Sequence, residues 1–295
     1  MHHEIVNASE WMERFPLDKH LSKLDAEGRP DFVYHVPYDI DTPESLAHML
    51  QYIERALSKT RRAQAQPIDV FLPALGEPTR RHQTKFGGLP YISKEDWPRD
   101  DNGNRYAFLG QICFADSLDV LPVAPDKLGG DVLLLFQKDP EEMLWSMDDG
   151  DLLLVVWRPL GLSESTLVTA DEAYVPDGWI EPVFFHRLRT HEYNRLKPVK
   201  HGRRKITVDG KYRATKLGGT PVWQQCDSEG EGLGTYIGCL HSINPYGPEF
   251  PMINVPIAPW GDRYSDLNLP MFGDVGTLYL FLSESAQVNW VMQCG

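Results

Sequence analysis

The chain writes one heptapeptide twice, and that repetition limits what it can fold into. Thr84-Lys85-Phe86-Gly87-Gly88-Leu89-Pro90 returns 131 residues later as Thr215-Lys216-Leu217-Gly218-Gly219-Thr220-Pro221, with five of seven positions identical. Each copy leads into an apolar stretch, Phe108 to Cys113 and Tyr236 to His241. A Leu-Pro pair follows (Leu121-Pro122, Leu269-Pro270), then a Gly-Asp-Val (Gly130 to Val132, Gly273 to Val275). Both copies close on a strand-like run ending in Phe136 or Phe281. A shared order over this many features marks a duplicated module.

At 295 residues and 42% hydrophobic composition, the chain can bury a substantial core. A formal net charge of −13 argues against non-specific binding to nucleic acid or to an anionic membrane, and suits a basic partner. No stretch reaches the roughly 18 apolar residues of a membrane-spanning helix. The start, Met1-His2-His3-Glu4, lacks the layout of a signal peptide, so the expected location is the cytoplasm. The four cysteines show no zinc spacing. Cys113 and Cys239 sit in the apolar repeats and are expected to be reduced, buried and equivalent between copies.

The region before the repeats has a different texture. Ala8 to Leu24 can be helical, and Phe32 to Pro37 reads as a short strand. The clearest helix starts at Asp41, with Pro43 in its first turn and Glu44 completing a capping box. Leu46, Met49, Leu50, Ile53 and Leu57 then form one apolar stripe. From Ile68 onward short apolar runs such as Val132 to Phe136, Leu152 to Trp157 and Thr277 to Leu282 read as strands covered on both faces. Asp139 to Met147 reads as a helix between sheets. The expected class is α+β: a β-rich, internally duplicated, two-lobed domain with an N-terminal helical appendage. Its expected divisions are an appendage at 1–75, a first repeat at 76–185 and a second at 186–295, with the repeats forming one compact body.

No catalytic signature is present: there is no nucleophile elbow, zinc-protease helix or phosphate loop. Neither metal nor cofactor is expected. Between His186 and Lys216 lie eleven basic residues against Glu192 and Asp209, a segment of about +9 that reads as a linker, an exposed hairpin or a basic ligand-facing strip. The repeated motif supplies the candidate ligand site: Lys85, Gly87, Gly88, Lys216, Gly218 and Gly219. Paired glycines permit positive φ and close backbone approach, which a structural turn also requires. A turn does not require a lysine. Lys85 and Lys216 either converge on an anion in a cleft between the repeats or pack their stems on Trp97 and Trp223. Acidic clusters at Glu95, Asp96, Asp100 and Asp101, and at Asp148, Asp149 and Asp151, are candidate contacts for a protein partner.

Lys85 to Pro90, then Trp97-Pro98, then Phe108-Leu109-Gly110-Gln111-Ile112 resembles the YwqG-like family, a bacterial family named for a domain of unknown function. The resemblance spans residues 76 to 295. It departs at Gly238-Cys239-Leu240, where a Gln-Ile would stand, and at Trp223, which no proline follows. It implies a β-rich duplicated fold and brings no catalytic residues. Members resemble proteins encoded beside secreted bacterial toxins, which implies an immunity protein neutralising a basic toxin, such as a nuclease effector, in the cytoplasm. The resulting expectation is a non-catalytic protein-binding role, with no direct nucleic acid or membrane contact. The alternative is a small anionic-ligand receptor or enzyme using the cleft between repeats.

Overall fold

The computed structural model describes residues 65–139, 152–193, 199–201, 204–206, 213–243, 267–273 and 275–294. Among them, twelve strands run in chain order: β1 (Ala65–Leu75), β2 (Lys85–Phe86), β3 (Ala107–Cys113), β4 (Val132–Gln137), β5 (Leu153–Arg158), β6 (Val183–Tyr193), β7 (Val199–His201), β8 (Arg204–Ile206), β9 (Lys216–Gly218), β10 (Thr235–His241), β11 (Thr277–Leu282) and β12 (Val288–Gln293). Ten of them form one sheet in the order β12-β11-β10-β9-β1-β6-β2-β3-β4-β5, and β7 pairs with β8 alone. The long sheet curls into a nearly closed barrel.

This corrects the expected α+β, two-lobed class. Among the described residues the protein is all-β apart from short 3-10 turns, and one sheet runs through both repeats. The expected helices at 8–24 and 41–57, the strand at 32–37 and most of the helix at 139–147 lie outside the described residues.

The two-lobed expectation fails because the repeats exchange their first strands. β1 opens the first repeat but pairs with β9 of the second, while β6 opens the second and pairs with β2 of the first. Along the centre, β1 and β6 pair antiparallel over eleven residues, from Ala65 opposite Tyr193 to Leu75 opposite Val183. The sheet therefore takes in Ala65–Leu75, which the sequence reading grouped with the N-terminal segment. Matching bonds mark the pseudo-two-fold: the Phe71 amide donates to the Thr215 carbonyl (3.0 Å), and the Phe185 amide to the Thr84 carbonyl (3.2 Å).

Among the described residues, alternation along each strand builds three apolar clusters from these runs. Leu133 and Leu135 of β4 point to the barrel interior with Leu278, Leu280 and Leu282 of β11, in one cluster that draws on both repeats. Val132, Leu134 and Phe136 point outward into a second cluster around Trp97, and Tyr279 and Phe281 into a third around Trp223. The outer clusters echo one another. The Trp97 and Phe108 rings lie 5.7 and 5.6 Å from Phe136; those of Trp223 and Tyr236 lie 6.0 and 5.8 Å from Phe281. β4 and β11, each buried at all six positions, are thus covered on both faces, as expected of a sheet packed from inside and outside.

Candidate functional site

The repeated heptapeptide builds the same joint twice, and its threonine, lysine and glycines each have a structural task. The threonine hydroxyl accepts an amide from the next strand: Cys113 N–H to Thr84 and His241 N–H to Thr215, each at 3.0 Å. The lysine is buried, 1% exposed in both copies. Lys85 Nζ meets Glu77 at 2.9 Å, and Lys216 Nζ meets Glu192 and the Thr220 carbonyl. Each carboxylate also accepts an amide just after the glycines, Leu89 N–H to Glu77 (2.7 Å) and Thr220 N–H to Glu192 (3.1 Å).

The glycines make room for that carboxylate. All four have positive φ, between 58° and 76°. A Cβ on Gly88 would stand 1.8 Å from Glu77 Oε1, and one on Gly219 would stand 2.3 Å from Glu192 Oε2. The second glycine of each doublet is thus fixed by backbone conformation and by contact with the carboxylate, and the first by backbone conformation and by close approach of the Ile180 or Val120 carbonyl oxygen.

The two joints differ in wetting. Glu192 is sealed with its lysine at 1% side-chain exposure, whereas Glu77 keeps 38% of its side chain in solvent. Burial pulls the Lys85 pKa below its ordinary value, and the Glu77 charge only partly offsets this. With their ammonium groups committed to internal carboxylates, Lys85 and Lys216 do not line the cleft described below. Neither packs its charge over a tryptophan: the cation over Trp97 is Arg105, 5.8 Å from the ring centroid.

Register corrects one equivalence. Lys85 lies opposite Gln111, and Lys216 opposite Cys239, so Cys239 corresponds to Gln111 and Cys113 to His241. Both thiols are buried, and burial raises the pKa of each. Gln111 donates to the carbonyls of Arg81 and Gln83 (2.7 and 2.9 Å) and accepts the Tyr91 amide (2.8 Å). Cys239 makes one such link, to the Ala214 carbonyl at 3.3 Å.

The acidic candidates separate by task. Asp100 organises its own turn, accepting the amides of Asn102 (2.9 Å) and Asn104 (2.7 Å), and its pKa is lowered chiefly by the Asn104 side chain. Glu95, Asp96 and Asp101 are exposed on the neighbouring loops, with Asp96 3.7 Å from Arg158. Asp148, Asp149 and Asp151 lie outside the described residues. In the basic segment, Arg187 and Arg189 converge on the fully buried Asp69 from the strand opposite, and Arg189 also grips Asp119 at 2.6 and 2.9 Å. The register of the β7–β8 hairpin sets Lys200 opposite Lys205 and His201 opposite Arg204.

A cleft of about 830 Å³ opens where the barrel stays unclosed. Its walls are the two terminal strands of the sheet: Leu153, Val155 and Trp157 of β5, and Val288, Trp290 and Met292 of β12. Those six side chains are the inward-facing rows of the two strands, equivalent pair by pair across the pseudo-two-fold. Gln225, Glu229 and Gln287 add polar groups along its border. Among the described residues each wall strand is paired on one side only, so each presents unpaired backbone amides and carbonyls toward the opening.

The sequence reading offered a cleft between the repeats but set the two lysines in it, and it missed the residues that line the cleft and the carboxylate partners of the lysines. Glu77 precedes its lysine by 8 residues and Glu192 precedes its own by 24, so no fixed spacing announced them. Only the repeated lysine itself was a signal.

Fold and site together define a strand-exchanged, nearly closed β-barrel with a cleft of mixed polar and apolar lining between its two edge strands. Residues 84–229 match the family model described as Domain of unknown function (DUF1963), which includes the first heptapeptide and the second. No curated protein matches the chain. No group of three or more metal-ligating side chains is present among the described residues, and no described helix is long and apolar enough to cross a membrane.

Proposed function

We propose that the protein acts by binding another protein at the cleft between β5 and β12, without turnover. The observation that carries this reading is the cleft itself: apolar side chains in two inward rows, flanked by strand edges with unpaired backbone groups. That combination suits capture of an extended segment, with main-chain bonds giving affinity and alternate side chains entering the apolar interior. The formal charge of −13 suits a basic partner and a fast, steered encounter. On the resemblance to the YwqG-like family, the particular role proposed is a cytoplasmic immunity protein that neutralises a basic bacterial toxin.

The test is co-expression with the product of the adjacent gene, together with pull-down of that product by the purified protein. Protection of the cells and retention of the partner are expected, and added salt should slow association. Val155→Lys and Trp290→Ala should each weaken binding about tenfold or more while the fold persists, as for a central apolar anchor. Turnover of a small-molecule substrate, lost in Lys85→Ala without loss of fold, would move the protein to the enzyme class. The volume of the cleft favours one second reading, a receptor for a small ligand; its walls would select an apolar ligand over an anionic one.

A further inference from the structure

Two thiols lie on segments that border the cleft, distant in sequence and tied together by one side chain. Gln293 is fully buried at the end of β12. Its carbonyl accepts the amides of Gln224 (2.9 Å) and Gln225 (3.1 Å), and its amide donates to the Cys226 carbonyl and to Glu229 (2.8 Å). Cys226 therefore sits on a loop wrapped around the side chain that immediately precedes Cys294. On the other side of that loop the Gln225 amide lies 4.0 Å from Cys294 Sγ. Cys226 is exposed and Cys294 half-buried, in contrast to the buried Cys113 and Cys239. Gln225, Glu229 and Met292, from the same two segments, line the cleft.

We infer that Cys226 and Cys294 form a dithiol site that a small disulfide such as oxidised glutathione converts to an internal disulfide. The more exposed Cys226, as thiolate, attacks one sulfur of oxidised glutathione, forming a mixed disulfide and releasing one glutathione thiolate. The Cys294 thiolate then attacks the Cys226 sulfur, closing the protein disulfide and releasing the second glutathione. Two protein thiols lose two protons and two electrons, and oxidised glutathione takes up both as two thiols. The product staples the 3-10 turn Asp227–Gly230 to the end of β12 and fixes one border of the cleft. This inference stands apart from the identity of any partner.

The native full-length chain, incubated with oxidised glutathione and then alkylated, supplies the test by intact mass and peptide mapping. The expected product is about 2 Da lighter than the reduced protein and yields a Cys226–Cys294 linked peptide, reversible by dithiothreitol. Cys113 and Cys239 should alkylate only after unfolding. Cys226→Ser and Cys294→Ser should each stop at a single glutathione adduct on the remaining member of the pair. Adducts on both cysteines of the wild-type chain without the linked peptide would overturn the inference. So would a bridge to Cys113 or Cys239, a bridge between two chains, or no reaction.

Discussion

At the scale of single residues, the repeated lysine and its carboxylate decide most of what the heptapeptide does. Removing one member of a sealed pair leaves the other charge buried and uncompensated, which costs about 3–5 kcal/mol. Lys216→Met, beside a Glu192 that is 1% exposed, should therefore lower unfolding free energy by that order in a urea titration. Lys85→Met should cost distinctly less, because solvent reaches the 38%-exposed Glu77 and can rehydrate it. The same pair sets an alkaline signature. Burial lowers the Lys85 pKa from its ordinary 10.5, so the folded chain releases this proton before the unfolded chain does. In the window between the depressed value and 10.5 the unfolded state holds more protons, so stability rises with pH there. Lys85→Met should remove that contribution, read as a flatter stability profile on the alkaline side. The sequence showed the lysines and their glycines but not the carboxylates, because Glu77 and Glu192 reach their partners through tertiary structure rather than a fixed spacing. One of the two sequence readings, an anion site, therefore falls where the protein supplies its own anions.

At the scale of elements, strand runs were readable from sequence because alternation and apolar content agree with a sheet covered on both faces. Register was less readable. Both β3 and β10 carry an irregularity, between Phe108 and Gly110 and between Tyr236 and Gly238, and the glycine of each lies against the short strand of the heptapeptide. The two apolar stretches place their cysteines two positions apart once register is applied, which sequence inspection alone had treated as equivalent. These glycines admit the neighbouring backbone: a Cβ on Gly110 would stand 2.9 Å from the Lys85 carbonyl oxygen, and one on Gly238 would stand 2.6 Å from that of Lys216. Backbone cannot swing aside as a side-chain tip can. Gly110→Ala and Gly238→Ala should each destabilise by about 1–3 kcal/mol, the usual cost of overpacking, with Gly238→Ala the larger. Denaturant midpoints for the two variants, with unchanged slopes, are the check.

At the scale of the whole molecule, strand exchange runs one sheet through both copies of the duplication, and cooperative unfolding is the expected consequence. A chain cut between the repeats would leave β1 without β9 and β6 without β2, and would split the long β1–β6 pair at the centre of the sheet. The interior cluster would be divided as well, since Leu133, Leu135 and Leu153 of one repeat share it with Leu278, Leu280 and Leu282 of the other. Duplication is commonly read as two lobes able to stand alone. Here the order of strands forbids it, and no local pattern announces which copy a first strand will join. The intact chain should therefore unfold in one transition, with fluorescence of Trp97 and Trp223, on opposite outer clusters, changing at the same denaturant concentration as far-ultraviolet dichroism. Fragments 65–182 and 183–294, cut just before β6, should each remain unfolded alone and regain the native spectrum only when mixed. Two separated transitions, or a native-like spectrum from either fragment by itself, would show that each repeat completes its own sheet and that the exchanged pairing is dispensable.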